Sequence, residues 1–345
     1  MDGTGKTVSE FPIIYYSVAQ LWKIFGPHEF IFRLIVLLFF FTGLFALFKI
    51  FENTLKDSLL AILFPLFMFT SPTLVYYANN FLMDIPALSL AMIGLYFFFK
   101  FVQTSANKHL FWYAFFYALA GLLKISSLLS FMAVFGIFIL ELFQFKILPD
   151  KKIFQYPHKQ IIAFVGVILV ELIWYLYAHN YNAKHNSGIF LIGILPVWEI
   201  DAAQIQLTWD AIIEHVKWDY FRRETEVVFL LMFVAGFVFY KKSNRLILLL
   251  LTFLSIGFLT YVVLFFQPLK DHDYYTINLF ILIPVVVLGF LWLLKTRFDK
   301  IFTSVIFKIL IIAFLIHNVD FARRRIDDRY RAGGWQNRNY IENVQ

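Results

Sequence analysis

Long apolar runs are the feature that most limits how this chain can fold. About ten of them are each close to the ~20 residues that a helix needs to cross the hydrocarbon core of a bilayer. In addition, 61% of the residues are hydrophobic and only 15% are charged, which is more apolar surface than a soluble domain can bury. The sequence therefore predicts an all-α, polytopic membrane helical bundle of about ten transmembrane helices. The expected spans are 30–50, 58–76, 85–101, 110–124, 126–144, 160–179, 226–240, 246–266, 275–295 and 302–318.

Lysine and arginine are distributed unequally between the loops. Fourteen of them lie in the loops on one side of the predicted bundle, whereas the short loops 77–84, 124–126 and 267–274 on the other side contain only Lys124 and Lys270. Because lysine and arginine collect in cytoplasmic loops, the second set is expected on the outer face of the plasma membrane, which in a bacterium is the inner membrane. The net charge of +7 is then a topology signal, and no nucleic-acid partner is expected.

This orientation divides the chain into three parts. Residues 1–29 are expected to form an interfacial segment on the outer face. Residues 30–318 form the transmembrane bundle, with a long outer loop at 180–225, and residues 319–345 form an outer-face tail. The tryptophan and acidic residues of the long loop would suit contact with a sugar or a lipid, and a plain amphipathic helix along 203–221 explains them equally well. The bundle and the interfacial segment would both contact membrane lipids.

The polar strip at residues 71–86 contains one charged residue, Asp84, at the lip of the third span. Asp84 could be a helix N-cap, with Pro86 in the first turn. It could also be a functional carboxylate, because an ionised carboxylate at the membrane boundary is costly unless it is hydrated, paired or metal-bound. The two roles are compatible, since a capping carboxylate keeps a free oxygen.

Three further polar residues occupy the same predicted face. Lys124 could extend its ammonium group to the interface, or it could hold a lipid-linked phosphate. His272 lies between two aspartates and could bind a metal or phosphate or act as a base, although a solvated turn followed by an aromatic belt explains it equally well. Glu10 lies in an aromatic N-terminal strip, and it could face an outer cavity or simply belong to an interfacial belt.

Several motifs of other function classes do not occur in the sequence. It contains no GxxxxGK[ST] loop, no Rossmann glycine pattern and no HExxH. The sequence therefore gives no sign of a nucleotide-driven pump or a dehydrogenase. With no cysteine in the chain, disulfides and cysteine-ligated zinc are also excluded.

Taken together, these strips resemble the GT-C superfamily of polytopic glycosyltransferases. The similarity is greatest to the group that contains protein O-mannosyltransferases and the transferase that adds aminoarabinose to lipid A. The residues that carry it are Glu10-Phe11-Pro12, Tyr15-Tyr16, Phe25-Gly26, Glu29, Arg33-Leu34, Ser71-Pro72 through Asp84, Gly121-Leu122-Leu123-Lys124, and His272-Asp273-Tyr274-Tyr275 before Pro284.

The resemblance implies transfer of a sugar from a polyprenyl-phosphate carrier to a lipid, glycan or protein acceptor on the outer face. Asp84 and Glu10 would then be the catalytic carboxylates, and Asp84 would also be the ligand of a divalent cation such as Mg²⁺ or Mn²⁺. The donor phosphate would be bound by Lys124, His272, Tyr274 and Tyr275.

The sequence departs from this family at its N-terminal end. The family has one helix and an acidic first-loop motif ahead of the matching residues, and neither is found here. We therefore expect either an N-terminally truncated piece or a non-catalytic relative of the transferases. A membrane transporter or lipid flippase is the alternative from another class, and it would place charges at mid-membrane, where only Glu171 and Lys308 lie.

Overall fold

The protein is described by a computed structural model that covers residues 6–149, 151–187 and 193–332. In these ranges the chain forms helices and turns without any strand. The α-helices are α1 Ile13–Phe25, α2 Glu29–Leu55, α3 Ser58–Leu66, α4 Pro72–Ala78, α5 Asp84–Thr104, α6 Asn107–Leu123, α7 Leu129–Leu142, α8 Pro157–Lys184, α9 Ala202–His215, α10 Arg223–Val238, α11 Arg245–Leu264, α12 Leu282–Arg297, α13 Asp299–Phe302 and α14 Val305–Ala332. The expected all-α bundle is confirmed.

Seven helical segments of the described chain are long and apolar enough to cross a membrane. They are Glu29–Leu55, Asp84–Thr104, Ile125–Leu142, Pro157–Lys184, Arg245–Leu264, Asp273–Arg297 and Val305–Tyr330. Two of them continue through short 3₁₀ turns at Ile125–Leu128 and Asp273–Ile281. The number differs from the expected ten because α6 and α10 contain only 17 and 16 residues, and because the expected span 58–76 is broken.

The break in that span lies at Ser71. The two halves, Ser58–Thr70 and Pro72–Ala78, meet at an angle of 83°. Ser71 has extended backbone angles, and its hydroxyl accepts a hydrogen bond from the Leu74 N–H at 3.3 Å, so it caps the start of α4. Pro72 then occupies the first helical position, where its missing N–H costs nothing. As a result α4 turns aside and brings Tyr76 and Tyr77 to the end of the bundle where α5 begins.

Helix α5 forms the centre of the bundle. It packs against α2 and α6 at glycines that allow close approach: a side chain at Gly43 would meet the Ser89 Cα at 2.9 Å, and one at Gly94 would meet the Tyr117 ring at 2.6 Å. Aromatic rings fill the space between α6, α7 and α8. This packing fixes the start of α5 and the end of α6 beside each other.

Two elements differ in extent from the sequence-based expectation. The amphipathic helix of the long loop runs from Ala202 to His215, followed by a π-helical turn at Val216–Tyr220. The last helix continues well past residue 318 and reaches Ala332. Its C-terminal part therefore lies beside α4 and the π-helical turn.

Candidate active site

The Lys124 ammonium group lies between two carboxylates. Helix α6 ends at Leu123, and Lys124 adopts an extended conformation before the 3₁₀ turn at Ile125–Leu128. Its Nζ atom is 3.5 Å from the Asp84 Oδ1 atom and 3.6 Å from the Glu10 Oε1 atom. Only 22% of the Lys124 side chain is exposed. The side chain is thus directed into an ion pair with both carboxylates.

Asp84 is the buried member of this group, with 1% of the residue exposed. It is the first residue of α5, Met83 occupies the N-cap position, and no side chain caps the helix. The N-cap role considered for Asp84 is therefore contradicted. A buried carboxylate without a partner is costly, and the Asp84 Oδ1 atom has no hydrogen bond within the described chain. Its ion pair with Lys124 compensates for this burial.

Glu10 reaches Lys124 because the segment before α1 is fixed to the bundle by its backbone. The Phe11 N–H donates to the Leu122 carbonyl at 2.8 Å, two residues before Lys124. The Trp174 indole N–H donates to the Ser9 carbonyl at 3.1 Å. The Asn182 side chain accepts from the Val8 N–H at 2.8 Å and donates to the Val8 carbonyl at 2.7 Å. These bonds hold the segment against α6 and α8.

Two tyrosines of the predicted phosphate-binding strip also lie next to Lys124. Its Nζ atom is 5.8 Å from the ring centre of Tyr274 and 5.7 Å from that of Tyr275, within the range of cation–π attraction. His272 joins the group through these rings, since it stacks on Tyr274 with ring centres 4.8 Å apart. The structure thus brings together all six residues predicted from the sequence, with His272 at the edge.

An open groove of about 630 Å³ borders Glu10. Burial raises the pKa of Tyr15 to about 12, and the nearby carboxylates of Glu10 and Asp84 add to this effect. The Tyr15 hydroxyl therefore keeps its proton and can donate a hydrogen bond at neutral pH. The groove is lined by Thr7, Val8, Ser9, Glu10, Phe11, Pro12, Tyr15, Trp174 and Tyr177.

Trp174 and Tyr177 of this groove were not predicted from the sequence. Both lie within the span 160–179, where aromatic residues near a membrane interface are common and carry no specific signal. They border the groove because the N-terminal segment packs against α8.

The site can be tested for its fit to a divalent cation. In the described part of the chain, no group of three or more histidine, aspartate or glutamate side chains could hold a metal. However, Mg²⁺ is commonly held by one or two carboxylates together with substrate phosphates and water. Asp84 and Glu10 supply two such carboxylates beside one ammonium group. These residues therefore fit a cation that binds together with a phosphate-bearing substrate.

A second buried network lies next to this site. The Asp273 carboxylate accepts hydrogen bonds from the Thr73 hydroxyl at 2.9 Å and the Tyr77 hydroxyl at 2.8 Å, and it forms an ion pair with Arg329. The sequence placed Asp273 in a polar strip but gave no sign of its partner, because Arg329 lies 56 residues further along the chain.

Residues 9–175 match the family model of dolichyl-phosphate-mannose-protein mannosyltransferases. This range contains Glu10, Asp84, Lys124 and, except for Tyr177, the residues that line the groove from position 9 onward. A search of curated proteins found no significant match. The family match confirms, over residues 9–175, the resemblance to GT-C glycosyltransferases that was inferred from the sequence.

Proposed function

We propose that this protein transfers a sugar from a polyprenyl-phosphate carrier to a hydroxyl-bearing acceptor on the extracytoplasmic face of the membrane. The observation that carries this proposal is the Lys124 ammonium group, which lies between two carboxylates at the edge of an open groove. The family match supports a mannosyltransferase-type reaction. The distribution of lysine and arginine between the loops supports the outer face.

The positions of the two carboxylates suggest different roles. Glu10 lines the groove and has 29% of its side chain exposed, so it can reach an acceptor hydroxyl and take its proton. The acceptor oxygen then forms a bond to the anomeric carbon of the sugar. The bond from that carbon to the phosphate oxygen breaks, and polyprenyl phosphate leaves with the electron pair. Asp84 is buried and holds the Lys124 ammonium group in place.

Lys124 stabilises the charge that develops on the leaving phosphate, because a positioned cation is most effective where negative charge appears in the transition state. His272, Tyr274 and Tyr275 form the aromatic wall beside the ammonium group and would bind the donor phosphate from that side.

We also propose that Asp84 and Glu10 would hold Mg²⁺ or Mn²⁺ together with the donor. With both carboxylates ionised, the two carboxylates and one ammonium group carry a net charge of −1 (−2 + 1), which opposes the binding of a phosphate anion. A divalent cation would neutralise this charge and that of the leaving phosphate. Removal of divalent cations with a chelator is then expected to abolish transfer, and addition of Mg²⁺ or Mn²⁺ to restore it.

The test is transfer of radiolabelled sugar from a panel of polyprenyl-phosphate sugars in proteoliposomes, with lipid, glycan and peptide acceptors. Asp84→Asn should lower transfer by at least about 100-fold, because the positive charges that stabilise the leaving phosphate in the transition state would lose the carboxylate that holds them. Asp57→Asn is the matched control, since Asp57 also forms an ion pair with a lysine, Lys308, but far from the groove. Full transfer by Asp84→Asn would refute the assigned role. Uptake of intact substrate without transfer would support a transporter instead.

A further inference from the structure

Asp273 connects two separate elements, α4 and α14, to the aromatic strip 272–275. It is 5% exposed and lies between His272 and Tyr274 in the chain. Its carboxylate accepts hydrogen bonds from the hydroxyl groups of Thr73 and Tyr77 in α4 and from the guanidinium group of Arg329 in α14. A buried carboxylate with three donors is held firmly, because each donor offsets part of its desolvation cost.

Arg329 is itself fixed from several sides. Its guanidinium carbon lies 5.0 Å from the ring centre of Tyr76, and its Nη2 atom lies 3.5 Å from the Asp219 Oδ1 atom in the π-helical turn. One turn earlier in α14, the Arg325 Nε–H donates to the Trp218 carbonyl at 3.0 Å. The end of α14 thus joins α4, the π-helical turn and the strip 272–275.

These contacts reach the ammonium group through one aromatic side chain. Tyr77, which donates to Asp273, also packs edge-on against the Tyr274 ring, with ring centres 5.5 Å apart. Tyr274 is one of the two rings beside the Lys124 ammonium group. Asp273 therefore restrains Tyr274 twice, through the adjacent backbone and through Tyr77.

We propose that Arg329 is a positioning residue for the aromatic strip 272–275: by holding Asp273 and, through it, Tyr77, it keeps Tyr274 and its neighbours beside Lys124 for the donor phosphate. The link to the donor rests on the proposed function. The Arg329 Nη2 atom lies within ion-pair distance of both Asp219 and Asp273, while the guanidinium group also lies over the Tyr76 ring. A compact lysine ammonium group cannot reproduce this combination as well, because it lacks the planar guanidinium that stacks on an aromatic ring.

The absence of cysteine from the chain allows a direct test of the strip's mobility. We would replace the exposed Asp271 by cysteine, attach a spin label and record its mobility by electron paramagnetic resonance in nanodiscs. The compared backgrounds are Arg329→Gln, Arg329→Lys, Asp273→Asn and the double variant Arg329→Gln/Asp273→Asn. Arg323→Gln is the matched control, since Arg323 is an exposed residue of the same helix that pairs only with Asp320 among the ion pairs of the described chain.

Arg329→Gln should increase the mobility of the label and weaken the binding of farnesyl phosphate, a short polyprenyl phosphate, on the order of tenfold, whereas Arg323→Gln should change neither. Arg329→Lys should fall between the two. The double variant should be no worse than Arg329→Gln alone, because both changes remove one interaction. In transfer assays the effect should appear in KM for the donor more than in kcat, since a loss of ground-state binding raises KM.

Two results would overturn this proposal. One is a label mobility and a farnesyl phosphate affinity in Arg329→Gln that equal those in Arg323→Gln. The other is a fully additive double variant. The proposed function is judged separately, by transfer in the wild type. If the wild type transfers no sugar, that function fails, while increased mobility together with weaker farnesyl phosphate binding in Arg329→Gln still supports the positioning role.

Discussion

Lys124 is the only cation that we find within ion-pair distance of either Asp84 or Glu10 in the described part of the protein. Its loss would leave the buried Asp84 carboxylate without a compensating charge. Breaking a buried pair by removing one partner costs about 3–5 kcal/mol, much more than removing both partners together. Lys124 should therefore affect both the stability of the protein and the proposed sugar transfer, and variants can separate these two effects.

We expect Lys124→Gln to abolish sugar transfer and to lower the thermal stability of the purified protein. The double variant Lys124→Gln/Asp84→Asn should recover most of that stability, because no buried charge is left unpaired, but it should remain inactive. Thermal unfolding in detergent and transfer in proteoliposomes measure the two effects. Recovery of transfer in the double variant would contradict the role assigned to the ammonium group.

Glu171 offers a second prediction about a single buried residue. It is 5% exposed, and neither carboxylate oxygen has a hydrogen-bond partner within the described chain. It packs against Gly121, where an added side chain would meet its Oε1 atom at 2.4 Å. Because a buried carboxyl group without partners is unfavourable, Glu171→Gln should not lower the free energy of unfolding, and any increase should be at most about 1–3 kcal/mol.

Gly121→Ala should lower the thermal stability of the protein, because the added methyl group would collide with the Glu171 side chain. An unchanged melting temperature would argue against this packing.

The sequence predicted the main residues of the site but not all their interactions. Glu10, Asp84 and Lys124 were identified because polar residues are rare beside apolar runs, and the structure brings them together. Asp-Ile-Pro is nevertheless also a common helix start, and only the fold shows that the Asp84 carboxylate does not cap α5 and pairs with Lys124. The partnership of Asp273 with Arg329 depends on tertiary packing, so a single sequence contains no signal for it.

The segment before α1 has no regular secondary structure between residues 6 and 10, yet it provides Glu10. Its position depends on a few hydrogen bonds to side chains of α8. Asn182 makes two of them with the backbone of Val8, in the manner of a neighbouring strand. An irregular segment held this way is sensitive to single substitutions, because few other contacts replace those that are lost.

Asn182→Ala is therefore expected to reduce transfer about tenfold or more by releasing the segment that carries Glu10. Asn182→Asp should be intermediate, because a carboxylate can accept the Val8 N–H but cannot donate to its carbonyl. Asn180→Ala, at an exposed position of the same helix, is the control. Limited proteolysis near residue 8 should become faster in Asn182→Ala. Equal protection in all three variants would show that Asn182 does not hold this segment.

The helices themselves were predicted well where the apolar run is long. The difference in the number of spans arises at three places, α6, α10 and the break at Ser71. A hydropathy pattern measures apolar length and does not detect an 83° bend, because Ser71 and Pro72 interrupt the run only briefly. The extent of α14 was also underestimated, since its C-terminal part is polar and was assigned to a tail.

In the assembled molecule, the buried polar networks around Lys124 and Asp273 lie together. The short loops 77–84, 124–126 and 267–274 beside them contain few basic residues. The pair formed by Asp57 and Lys308 belongs to elements next to the lysine-rich loops. This arrangement agrees with a site on the outer face, and the sidedness itself remains a prediction.

Single cysteines can test that prediction in intact cells. A cysteine in place of Asp271, next to the aromatic strip, should react with a membrane-impermeant maleimide added from outside. A cysteine in place of Lys152, which is exposed in a lysine-rich loop, should react only after the membrane is permeabilised. Mass shift of the purified protein on a gel measures the labelling. The reverse pattern would place the site on the cytoplasmic side.

The length of α14 has one more consequence. A helix of 28 residues is a rod about 42 Å long, whereas the hydrocarbon core of a bilayer is about 30 Å thick. Arg329 is near one end of this rod, and Lys308, paired with Asp57, is near the other. A change in membrane thickness would change the tilt of this helix and the strain on the ion pairs at both of its ends. The proposed sugar transfer should therefore depend on lipid chain length. It should be fastest in a bilayer whose hydrocarbon thickness matches the length of this helix.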